Sequence, residues 1–167
     1  MMRSLLLGLL ATLAVGTAMA QTPPQRVLPA ITLSNPQGQA VTTEQLRMSQ
    51  PWVLAVVDPS LPSAEALLGA LLAKESVWTE RLTLLLLRPS QSLEERIAKE
   101  PRLATVRVVI ATTPAVMNQL DVAGLPALLG IKANQEIAWT RAGLPRGAAR
   151  LDKQVGGWLA TESAAAQ

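Results

Sequence analysis

The chain contains no cysteine, histidine, phenylalanine or tyrosine, and its four tryptophans are its only aromatic residues. Each absence removes a class of chemistry. Without cysteine there is no disulfide to staple the fold, no thiolate nucleophile and no thiolate ligand. Without histidine as well, a zinc or copper site lacks its usual donors, so no metal or cofactor is expected. No glycine-rich phosphate loop occurs. Beyond the first twenty residues no convincing membrane span follows, and Leu82 to Leu87 is only strand length. Basic residues number 15 against 12 acidic ones, and they are scattered. A net charge of +3 spread in this way gives little ground for a nucleic-acid partner.

What is present begins with a targeting segment. Arg3 precedes an apolar run from Leu5 to Val15, and the segment closes on Ala18-Met19-Ala20 before Gln21. This pattern predicts a cleavable secretory signal over residues 1–20, cut after Ala20, and a periplasmic or secreted mature protein. The alternative is an uncleaved membrane anchor. A lipoprotein anchor would need cysteine where Gln21 stands. The mature chain is long enough for one core without disulfides, and that core must be aliphatic.

Residues 21–26 read as an extended lead-in, 27–162 as one domain and 163–167 as a flexible tail. Val27 to Leu33 predicts a strand, Asn35-Pro36-Gln37-Gly38 a turn, and Gln39 to Val41 a returning strand. Thr42-Thr43-Glu44-Gln45-Leu46 reads as the entry to a helical turn, with a threonine able to cap it. Val53 to Val57 is a continuous apolar run rich in β-branched residues, as in a strand covered on both faces. Asp58-Pro59-Ser60 breaks it, and Ser63 is placed as N-cap of a helix in which Leu67, Leu68, Leu71 and Leu72 recur at helical spacing. Leu82 to Leu87 and Val106 to Ala111 predict further buried strands. Between them, Ser92 and Glu95 have the spacing of a capping box. Thr113-Pro114 opens a short helix. Leu125 to Ile131 and Glu136 to Thr140 form a hairpin around Ala133-Asn134-Gln135. A last helix spans Pro145 to Thr161, with Leu151, Val155, Trp158 and Leu159 facing inward. A hairpin followed by β-α-β-α-β-α-β-β-α implies an α/β domain with a helix-covered, mixed sheet.

Three segments of this string resemble the exported thioredoxin-like proteins of the TlpA type and the related alkyl hydroperoxide reductase group. Ile31-Thr32-Leu33-Ser34-Asn35-Pro36-Gln37-Gly38-Gln39 is similar to the "F-x-L-x-D-x-x-G-x" hairpin that opens those domains. Pro51-Trp52-Val53-Leu54 onward is similar to the strand leading to their redox loop. Leu120-Asp121-Val122-Ala123-Gly124-Leu125-Pro126-Ala127 is similar to "Y-x-V-x-G-x-P-T", in which the proline is cis. The resemblance implies a three-layer α/β/α thioredoxin-like sandwich with an N-terminal β-hairpin, and makes Pro126 the cis-proline. The alternative for Pro126 is an ordinary trans proline at a strand start.

The departures fall on the chemistry. Where active relatives carry Cys-Pro-x-Cys, this chain reads Leu61-Pro62-Ser63-Ala64. Ser60 replaces the bulky residue before the first cysteine, and Ala55 replaces the buried polar or acidic one. Thiol–disulfide and peroxidase chemistry are thereby excluded. The resemblance implies a redox-inactive protein-binding or scaffold module of the cell envelope. Asp58, Ser60, Leu61, Pro62, Leu125 and Pro126 would form a groove for an extended peptide or another envelope protein. Asp58 has a plainer role as a turn residue before Pro59. Other expectations stay open beside this one. Asp58, Ser60 and Ser63 could support a non-thiol hydrolase, Ser60 or Ser63 could pair with Lys74 or Lys132, and the cleft could carry a small apolar ligand. The charged run Glu94-Glu95-Arg96 and Lys99-Glu100 reads as a solvated helix face.

Overall fold

The structure is a computed structural model that describes residues 25–72, 78–144 and 148–165. The expected signal over residues 1–20 and its cleavage site, most of the lead-in, Lys74 and the start of the last helix at Pro145 lie outside the described residues.

Strand β3 (Trp52–Val57) is the axis of the molecule, six apolar residues with every side chain buried. It pairs in parallel with β4 (Leu82–Leu86), which pairs in parallel with β5 (Arg107–Ala111). On its other side β3 meets β6 (Ala127–Ile131) antiparallel, and β6 turns back into β7 (Ile137–Ala142). The hairpin of β1 (Thr32–Ser34) and β2 (Ala40–Thr42) adds to β5, giving a seven-stranded mixed sheet in the order β2-β1-β5-β4-β3-β6-β7.

Alternation along these strands sorts the core onto two faces. Val53, Ala55, Val57, Leu82, Leu84 and Leu86 point to one face, under α1 (Pro62–Leu72), α2 (Gln91–Lys99) and α4 (Ala148–Ala165). Trp52, Leu54, Val56 and Leu85 point to the other, covered by α3 (Val116–Gln119) and the loops around Leu28 and Leu46. The β3-α1-β4 and β4-α2-β5 crossovers step the same way across the sheet, and the right-handedness such units favour accounts for α1 and α2 lying on one side. The other layer is thinner.

Several local expectations shift. The strand expected from Val27 to Leu33 is reduced to a bridge between Val27 and Glu136, then β1. Between them the buried Thr43 hydroxyl donates to the Pro29 carbonyl at 2.7 Å and accepts from the Ile31 N–H at 3.0 Å, replacing a strand partner. The helix at Thr113-Pro114 starts only at Val116. The expected Ser92–Glu95 box is not formed; Ser90 is the N-cap of α2, and its N–H donates to the Glu94 carboxylate at 3.0 Å. Glu95 instead accepts from Gln91 and Lys99. Helix α4 runs to Ala165, into the expected tail. Ser163 holds that end by donating to the Leu159 carbonyl and accepting from Arg81 at 2.7 Å.

Candidate functional site

The C-terminal end of β3 is where an all-apolar strand must stop and release its chain to solvent. Asp58-Pro59 supplies the break, and Asp58 is buried at 8 % exposure. One carboxylate oxygen, Oδ1, accepts the Ser60 N–H at 2.9 Å and the Ser60 hydroxyl at 2.7 Å. This is the turn chemistry expected of an aspartate before proline. The other oxygen, Oδ2, accepts from Arg88 Nη2 at 2.8 Å. Arg88 arrives there because the parallel β3–β4 ladder extends one bond further, with the Leu87 N–H donating to the Val57 carbonyl at 2.9 Å.

From this anchor the chain turns into α1. The Leu61 N–H donates to the Asp58 carbonyl and the Ala64 N–H to the Leu61 carbonyl, each at 3.0 Å. Pro62 is the first helical residue, so Leu61 precedes the helix and Ser63, expected as the N-cap, lies inside it. Proline suits that position because its fixed φ matches the helix and its missing N–H had no partner to find. Ala64 is buried in the core, Ser63 is half-buried, and Ser60, Leu61 and Pro62 are exposed. At 40 % exposure, Leu61 is one of two large apolar residues exposed among the described residues.

The Asp58 carboxyl is held below its ordinary range, first by the Ser60 hydroxyl, against the opposing effect of burial, then by the Ser60 N–H and by Arg88. A carboxylate so stabilised is a weak base, and its hydrogen bond ties down the Ser60 oxygen. The arrangement is suited to holding a turn rather than to activating a nucleophile.

Pro126 reaches the same end of the sheet from the next strand. The Leu125–Pro126 peptide bond is cis. Val56 faces Ala127 across the β3–β6 ladder, so the buried Pro126 adjoins the end of β3. Its carbonyl accepts from the Gly143 N–H at 2.7 Å. Leu125 is half-buried against the thinner face. All six residues of the expected groove therefore share one end of the sheet. Lys132 does not: it follows Ile131, which pairs with Trp52 at the opposite end of β3, and it is bound to Glu136 at 3.1 Å. That separation, roughly 20 Å along a six-residue strand, removes a Ser60 or Ser63 dyad with Lys132.

Arg88 was not among the expected site residues. The available signal was a cation directly after the buried run of β4, which a parallel neighbour brings beside Asp58. The charged run of α2 is a surface network, with Lys99 on Glu95, Arg102 on Glu100 and Arg96 reaching Glu65 of α1. Among the described residues, no helix is long and apolar enough to cross a membrane.

Neither a family model nor a curated protein sequence matches the chain. Solved structures do. A thioredoxin-family thiol:disulfide interchange protein from Chlorobium tepidum superposes with a TM-score of 0.60 at 14% identity, covering 83% of this chain and 99% of its own. The thioredoxin domain of a thiol-disulfide oxidoreductase from Bacteroides vulgatus gives 0.57 at 12% identity, over 83% and 99%. The pneumococcal exposed lipoprotein thioredoxin Etrx1 from Streptococcus pneumoniae gives 0.55 at 12% identity, over 77% and 99%. At these identities the likeness is one of fold: the chain has a thioredoxin-like fold and carries it without a single cysteine.

Proposed function

We propose that this is a redox-inactive thioredoxin-like protein of the bacterial cell envelope that binds another envelope protein through the end of the sheet carrying Leu61. The observation that carries the reading is Leu61 itself. At the first position of the degenerate Cys-Pro-x-Cys segment, a leucine stands exposed at the entry to α1, where a thiol would serve exchange chemistry. An apolar side chain held in solvent on a rigid turn favours a partner surface over water. Edge backbone and apolar contact can give affinity without a covalent step. The signal-like segment over residues 1–20 and the exposed-lipoprotein likeness support an envelope location. Secretion, conjugation and respiratory assembly are the kinds of apparatus such a module would serve.

A hydrolase at the same place has less behind it. Ser60 donates to a carboxylate of depressed basicity, and the chain has no histidine to replace it. The test is recovery of the mature protein from its native envelope beside a Leu61→Asp variant. A stoichiometric partner present with the wild type and lost with the variant is the expected result. Equal recovery with both proteins excludes the Leu61 surface.

A further inference from the structure

A second concave surface lies away from Leu61 and includes none of the six residues above. It is a groove of about 550 Å³ between α2, β5 and the β1–β2 turn, within the size range of small-molecule sites. Its floor is aliphatic, built from Ile97, Leu103, Val106 and Val108. Among the described residues, the only charged groups lining it are the carboxylates of Glu94 and Glu95. Glu95 is neutralised by Lys99 at 3.2 Å. Glu94 differs: it accepts the Ser90 N–H at the start of α2, and no cation lies within ion-pair reach of it among the described residues.

An apolar floor beside a carboxylate without a counter-ion complements one kind of molecule. We propose that this groove binds a small cationic amphiphile, a primary alkylammonium, with its chain on the aliphatic floor and its ammonium beside Glu94. The alkyl part gains from leaving water, and the ammonium can donate to a carboxylate already held in place by the helix. An anionic head group would meet the Glu94 carboxylate and, among the described lining residues, no cation. Among the described residues no aromatic lines the groove, so the attraction comes from charge and apolar contact, without a cation–π component. This site stands apart from the proposed protein-binding surface, and either can fail without the other.

The experiment is isothermal titration of the mature protein with decylammonium chloride below its micelle concentration, beside decyl sulfate and butylammonium. The expected result is saturable one-to-one binding of decylammonium, at least tenfold tighter than either comparison compound. Glu94→Gln, which keeps an oxygen for Ser90, should weaken it several-fold. Ala98→Trp, a change at an exposed position of α2 that fills the groove, should weaken it at least tenfold. Ala104→Trp, on the groove's other wall, replaces it if the first variant lacks the wild-type circular dichroism spectrum. Absence of saturation, equal binding of decyl sulfate, or unchanged affinity in the folded groove-filling variant would overturn the proposal.

Discussion

Asp58 takes its charge into the end of the sheet and finds three donors there: the Ser60 N–H, the Ser60 hydroxyl and Arg88. Its folded pKa lies below the unfolded value of about 3.9. The stabilisation is therefore fully present above that value and is lost as pH falls through the lower folded one. Asp58→Asn should cost about 1.5–3 kcal/mol at neutral pH, the range for hydrogen bonds to a charged group. Denaturant titrations from pH 7 to pH 2 should show a shallower acid loss in the variant. Parallel curves would mean that Asp58 contributes nothing to it. Gly130 is a second residue whose identity is fixed by its neighbour. It faces Trp139 across the β6–β7 ladder, and a Cβ built on it would collide with the Trp139 indole at Nε1. Gly130→Ala should cost roughly 1–3 kcal/mol through overpacking. Adding Trp139→Leu should return part of it in the same urea titration, whereas an additive loss would place the cause elsewhere. A glycine here is compatible in the sequence with a turn or with close packing, and only the cross-strand partner decides between them, because the indole comes from nine residues further along.

At the scale of elements, β3 and β4 were readable because burial on both faces leaves an uninterrupted apolar run. Ends were less readable. Ser63 and Ser92 each had capping chemistry, but Pro62 claimed the first helical position in one case. In the other, Ser90 with Glu94 offered an equivalent start two residues earlier. Helix α4 outruns its expected end because Arg81, distant in sequence, anchors Ser163. The same helix contains Gly156 and Gly157, and a Cβ at either would meet nothing within 4 Å. Neither φ lies in the left-handed region, so their cost is backbone entropy alone. Gly157→Ala should raise stability by about 0.5–1 kcal/mol, read as a higher urea midpoint at unchanged slope. A lower midpoint would mean that the glycine serves a contact of its own.

Over the whole molecule, the legible parts were those written locally: the strand–helix alternation, the opening turn, and the Val122-Ala123-Gly124-Leu125-Pro126 segment ahead of β6. The ion pair of Asp58 with Arg88 was not, because it depends on which strands are neighbours. The groove beside Glu94 was hidden for the same reason, its walls coming from a turn, a helix and a strand far apart in the chain. What the fold preserves is a rigid sheet end, with β3 feeding α1 on one side and Pro126 leading into β6 on the other. What it lacks is a thiol, so thiol–disulfide exchange has no nucleophile to run on. The proposed function stands or falls on whether this end recognises a protein partner through Leu61. The most direct test is quantitative co-purification of wild-type and Leu61→Asp protein from the native envelope, with thermal melts confirming that both are folded. A partner recovered in near-stoichiometric amount with the wild type and reduced at least tenfold with the variant is the predicted result. A wild-type protein recovered alone, or a partner retained equally by the variant, would contradict it.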